Sequence, residues 1–129
     1  MLTSELSILL TYGLIVALLL GAKLTGMLTQ LDMGYLLSSR DEHRTLEGML
    51  GRTERAFSNS VTALVLFAVP ILVMGLRDTF TGESLLAAQV FLVARVVYIP
   101  AYVFGITGLR TGVWLVGFLA TLILYFLAL

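Results

Sequence analysis

The chain has no cysteine. That excludes a disulfide framework and every thiolate metal site, and any thiol chemistry must use a thiol brought by a ligand. Charge is scarce too. Among 129 residues, 8 are Lys or Arg and 8 are Asp or Glu, so the net charge is zero and no broad field points to nucleic acid. Only 12% of the residues are charged and 59% are hydrophobic, with a mean hydropathy of +1.01. That leaves too little polar surface to cover an ordinary soluble domain. His43 is the one histidine, and beside Asp41, Glu42 and Glu47 it reads as part of a solvated loop and not as a metal site. The two halves show no internal repeat, which argues against a secondary transporter.

What is present is long apolar runs. A membrane-spanning helix needs ~20 mainly apolar residues, and four runs meet that length, at about 6–28, 55–76, 84–107 and 111–129. The leading MLTSELS lacks the basic segment of a signal peptide, so the first run reads as a retained span. The connection at about 30–54 is long and polar and contains SSRDEHRTLEG, whereas LRDTFTGES and GITGLRTG are short. Short turns make successive helices antiparallel neighbours. The expectation is one all-α integral membrane domain over 1–129, an up-down bundle of four helices. Arg40, Arg44, Arg52 and Arg110 fall on one side, with Lys23 and Arg55 close by, and Arg77 falls on the other. Because Lys and Arg accumulate in cytoplasmic loops, the long loop is expected in the cytoplasm and both termini outside.

Polar residues inside the spans carry the functional signal. Arg52, Arg55, Asn59 and Thr62 share one stripe of the second helix. Snorkelling arginines and a threonine bonded to its own helix would explain that stripe blandly. The third span is harder to explain so. Arg95 lies about eleven residues past the start of that span, at ~16 Å depth for a rise of ~1.5 Å per residue. An arginine there costs at least ~2.5–3.5 kcal/mol, so it must face the bundle or a wet cavity and find a partner. Glu54 is the nearest candidate for an ion pair. Tyr98 and Tyr102 follow Arg95 on the same face, and Pro100 between them frees a backbone carbonyl. Arg110 joins Arg52 and Arg55 at one mouth of the bundle. Guanidinium forks and phenols in such a pocket suit a small ligand with several carboxylates. Lys23 reads as a snorkelling side chain, and residues 85–93 and the whole fourth span read as lipid-facing or core surface. A small-solute channel, resting on Arg95 alone, ranks last.

SRDE in the first loop, GRTERA followed by Asn59, ARVVYIPAY and the later LRT together resemble the MAPEG family, the membrane-associated proteins of eicosanoid and glutathione metabolism. The resemblance spans almost the whole chain and is to a bacterial-type member, which implies a place in the inner membrane. It implies a homotrimer of four-helix subunits with glutathione bound between subunits, as co-substrate, near the cytoplasmic face. Arg52, Arg55, Asn59, Arg95, Tyr98 and Tyr102 match positions that line the glutathione site, and Arg110 resembles the arginine that stabilises the thiolate. The implied activity is a glutathione-dependent transferase or peroxidase acting on lipophilic electrophiles dissolved in the membrane lipids. The chain departs from the family pattern at Phe57, where His or Gln is usual, at Thr62, where a glutamate is usual, and at Val65, where proline is common. Those departures support a second expectation, a non-catalytic accessory or scaffolding subunit of a larger membrane complex.

Overall fold

A computed structural model describes residues 3–30 and 48–129. Within them the chain forms four helices: α1 (Glu5–Gln30), α2 (Gly48–Arg77), α3 (Gly82–Val103) and α4 (Thr107–Ala128). Each is long and apolar enough to cross a membrane, and α2, α3 and α4 follow one another through the short connections 78–81 and 104–106, as expected. SRDE, Arg40, His43, Arg44 and Glu47 lie outside the described residues.

The outward faces are apolar throughout. Leu10, Leu14 and Leu18 on α1, Val65, Val69 and Leu72 on α2, and Leu115, Leu119 and Phe126 on α4 are all exposed. Apolar area on this scale is unstable in water and suits hydrocarbon. The helix α3 is central, with 50% of its span buried against 22–28% for the other three. Its most extensive packing is with α4. Aromatic rings tie the remaining elements to it: Phe91 stacks on Phe67 of α2 at 4.0 Å and meets the edge of Tyr12 of α1 at 5.0 Å. Such ring pairs add to area burial, which in lipid matters more than hydrophobicity does.

The ends of the helices differ from the sequence expectation, for local reasons. α2 begins at Gly48, so residues 48–54 are helical and not loop, and Arg52 lies inside the helix. α3 stops at Val103, short of the expected 107. Gly105, at φ +76°, lets its N–H reach Tyr102 O at 3.1 Å while the Ile106 N–H reaches Ala101 O at 2.8 Å. That pair of bonds is the Schellman ending, which satisfies two carbonyls that would otherwise be orphaned. α4 then starts at Thr107, which places Arg110 in its first turn and not in the connection before it. At the other end of the bundle Thr81 and Ser84 form a capping box for α3. There the Ser84 hydroxyl also donates to the buried Glu5 carboxylate at 2.6 Å, tying the start of α1 to the start of α3.

The Schellman ending yields a contrast between two nearby glycines. Gly105→Ala forces a side chain into left-handed backbone and is expected to lower stability by about 1–2 kcal/mol. Gly108, helical with nothing within 4 Å of an added Cβ, is expected to gain up to about 1 kcal/mol on becoming alanine. Thermal unfolding of the two variants in detergent, followed by far-ultraviolet circular dichroism, checks the opposite signs.

Candidate functional site

The antiparallel order brings the ends of α2, α3 and α4 that carry basic residues to one end of the bundle, with Lys23 of α1 beside them. Arg77 is at the opposite end, where its guanidinium donates to Ala128 O at 3.0 Å. Glu54 does not reach Arg95. It faces Lys23 at 3.9 Å, and Lys23 in turn lies over the Phe57 ring at 5.1 Å. This trio closes the α1–α2 contact at the mouth.

Arg95 is 2% exposed. Among the described residues it has no carboxylate partner, and Glu54, the candidate for an ion pair, is engaged with Lys23. Its Nη2 donates to Ser60 Oγ at 3.1 Å, and its guanidinium carbon lies 4.1 Å from the centre of the Tyr98 ring. Ser60 is itself wholly buried, and its backbone carbonyl accepts the Tyr12 hydroxyl at 2.9 Å. A buried cation is thus held by a neutral hydroxyl on one edge and an aromatic face beneath, contacts that orient it without neutralising it. Its Nε and the Asn59 Oδ1 are buried with no hydrogen-bond partner among the described residues. Unsatisfied buried polar atoms are rare in native structures and need an explanation.

From Arg95 a ladder of contacts leads outward along α3. The Tyr98 and Tyr102 rings are 5.6 Å apart, and the Arg110 guanidinium carbon lies 4.7 Å from the Tyr102 ring centre. Three recesses open along this ladder. One of about 300 Å³ is lined by Arg55, Ser58, Asn59, Thr62, Tyr98 and Tyr102. The second, of about 210 Å³, is lined by Asn59, Tyr98, Arg110, Thr111 and Trp114. The third, an inner one of about 130 Å³ between α2, α3 and α4, counts Asn59, Arg95, Leu66, Phe91, Trp114 and Phe118 in its lining. Asn59 belongs to all three, and none has an acidic residue in its lining.

The candidate residues therefore divide. Arg55, Asn59, Tyr98, Tyr102 and Arg110 come together in the two outer recesses, and Arg95 lines the inner one. Arg52 stands apart. Its guanidinium lies 3.6 Å from where a Cβ on Gly105 would stand and donates to Val103 O at 3.5 Å, so it serves the negative end of α3. Thr62 lines two recesses but turns its hydroxyl onto Ser58 O at 3.2 Å. Sequence reasoning missed α4. Its Trp114, Gly117, Phe118 and Thr121 form a wall of the inner recess, where the whole span had read as plain apolar surface. The signal was their spacing of three, one and three, which is one helical face. Ser60 and Tyr12 were missed as well, because a lone serine or tyrosine in a span carries no mark of its partner.

A four-helix membrane protein with an acid-free, arginine-lined crevice at one end is the class these features define. Residues 5–129 match the MAPEG family, and the chain belongs to that family. No curated protein matches it.

Ser60 is the side chain on which the Arg95 geometry rests. Ser60→Ala removes a charge-assisted bond at a buried site, and the expected loss is about 1.5–3 kcal/mol. In an Arg95→Leu background the same substitution is expected to cost far less, because the buried cation is gone. A double-mutant cycle of thermal or denaturant unfolding in detergent measures the coupling, and additive losses would refute it.

Proposed function

We propose that this protein is a glutathione-dependent transferase or peroxidase of the membrane, acting on lipophilic electrophiles. The observation that carries the reading is the pair of outer recesses, in which Arg55 and Arg110 meet Asn59, Tyr98 and Tyr102 with no acid in the lining. Two guanidinium groups hold carboxylates and the phenols and amide supply hydrogen bonds, which suits an acidic tripeptide. Together the recesses fall within the size range of small-molecule sites. Family membership supports the same reading.

The chain has no thiol, so the nucleophile comes with the ligand. A thiol with an ordinary pKa of about 8.5 is mostly protonated at neutral pH, and a fixed cation favours the thiolate. Arg110 has that role in this reading. It sits in the first turn of α4 and is steadied over Tyr102. The proposed assembly is a homotrimer in which a neighbouring subunit covers the open side of the crevice. The proposed orientation in the inner membrane puts this basic end in the cytoplasm, following the excess of Arg and Lys there.

Phe57 and Thr62 favour a second reading, a non-catalytic subunit of a larger membrane complex. Phe57 lies under Lys23 and Thr62 is bonded to its own helix, so neither replaces the polar group usual in the family.

Isothermal titration of glutathione into the detergent-purified protein separates the two. The enzyme reading expects micromolar to low-millimolar binding that weakens at least tenfold in Arg55→Ala, since a charged hydrogen bond is worth about 1.5–3 kcal/mol. It also expects Arg110→Ala to keep the assembly while losing turnover. Absence of binding at ten millimolar, with stoichiometric co-purification of another membrane complex, would establish the accessory role instead.

A further inference from the structure

The recesses of the candidate site leave the outward side of the α3–α4 pair unexplained. α3 carries alanine at 87 and 94, which share one face, and α4 carries Ala120. All three are buried. Beside them Leu86, Val90 and Val93 on one helix and Val116, Leu119 and Ile123 on the other are exposed. Small side chains between large ones leave a trough along the helix pair. It consists of two hollows, one of about 440 Å³ that includes Glu83, Ala87 and Ala120, and one of about 350 Å³ that includes Ala94 and Val97. Val90 and Val116 line both, so the hollows adjoin. The trough shares no lining residue with the three recesses of the candidate site.

Length and charge limit what can lie there. From Glu83 to Val97 the trough follows α3 for ~21 Å, at a rise of ~1.5 Å per residue. That covers the ~15 Å half of a hydrocarbon core ~30 Å thick, the depth of one lipid leaflet. Glu83 is the only polar side chain lining the first hollow. It stands in the first turn of α3, at the end of a membrane span and hence at headgroup level. A first-turn acid suits the helix dipole, but the capping itself is done by Thr81 and Ser84. No ion pair engages Glu83 among the described residues. A second copy of the chain would have to bring it a cation. Arg77, the basic side chain of that end among the described residues, already donates to Ala128 O. A lipid with a cationic headgroup brings its own.

We infer that the α3–α4 trough binds one phospholipid whose headgroup ends in a primary ammonium. The ammonium pairs with Glu83, and one acyl chain lies along Ala87, Ala94 and Ala120. A primary ammonium donates N–H bonds to a carboxylate, which a quaternary ammonium cannot do, and an anionic headgroup is repelled. In lipid the hydrophobic effect does not separate a bound chain from the bulk chains, so the fit of the chain to the trough supplies the remaining gain through dispersion. The lipid thereby braces α4 against α3, the two helices that carry Arg110 and the tyrosines beneath Arg95 and Arg110. The inference goes beyond the glutathione reading and does not depend on it.

Native mass spectrometry of the detergent-purified protein tests this with phosphatidylethanolamine, phosphatidylcholine and phosphatidylglycerol that carry identical acyl chains. The expected result is a saturable phosphatidylethanolamine adduct, about two- to fivefold tighter than that of either other lipid, the ratio an exposed ion pair gives. Glu83→Gln should level the three lipids while keeping their adducts. Ala87→Leu, which fills the trough, should weaken all three together. Phosphatidylethanolamine with a photoreactive acyl chain locates the site in the unaltered protein, so the test stands even where a variant fails to fold. Its cross-links are expected within 83–97 and 113–123. Equal affinity for the three lipids in the unaltered protein, or a preference that survives Glu83→Gln, would overturn the role of Glu83. Cross-links confined to α1 or α2 would overturn the site. Loss of the oligomer in Ala87→Leu, with no lipid preference in the unaltered protein, would assign the trough to a second copy and overturn the inference as a whole.

Discussion

A buried guanidinium inside a membrane bundle, with no carboxylate beside it among the described residues, is the constraint around which the rest of this protein is arranged. The cost of Arg95 is at least ~2.5–3.5 kcal/mol on the gentler insertion scale, and the surrounding residues offset only part of it. The Ser60 hydroxyl takes one N–H and the Tyr98 face carries the plane. Tyr12 then fixes the carbonyl of Ser60 from α1. Three helices thereby contribute to one side chain. An ion pair would have been the simpler way to hold the charge, but it would also have cancelled the charge. The neutral cradle orients the charge without cancelling it.

The helix ends serve the same arrangement. Arg95, Tyr98 and Tyr102 follow one another along α3, and Gly105 turns the chain immediately beyond them. A helix continuing to 107 would have pushed Arg110 out of reach of Tyr102. With the turn where it is, Arg110 enters α4 one turn from its start and comes back over the last tyrosine. Arg52 secures that corner from α2 through Val103 and Gly105. Its position on the stripe with Arg55 therefore reflects the building of the corner, and Arg55 alone of the pair lines a recess.

Much of this was legible in the sequence, and the parts that were not share a cause. The four spans and their antiparallel order follow from apolar length and short turns. Arg95, Tyr98 and Tyr102 follow from spacing, because a charge at that depth cannot be ignored. The ends of α3 and α4 were misplaced because hydropathy runs on through GITGLRTG, whereas the backbone obeys Gly105. Ser60, Tyr12 and the α4 wall escaped because what they do depends on a partner from another helix. A glutamate beside Lys23 in space looks in sequence like a glutamate free to meet Arg95, and only packing decides between them. Thr62 was the opposite case, since a threonine bonded four residues back along its own helix needs no tertiary information.

Two arginines at the ends of one tyrosine ladder are chemically alike and differently placed. Arg110 is partly exposed at the mouth, where water screens its field and a charged ligand arrives with its hydration only partly lost. Arg95 is buried, where the same charge acts at longer range but a fully ionic guest would have to shed its water. The mouth is therefore the place where a permanent anion can be met, and the interior is the place where the same charge serves to hold helices together.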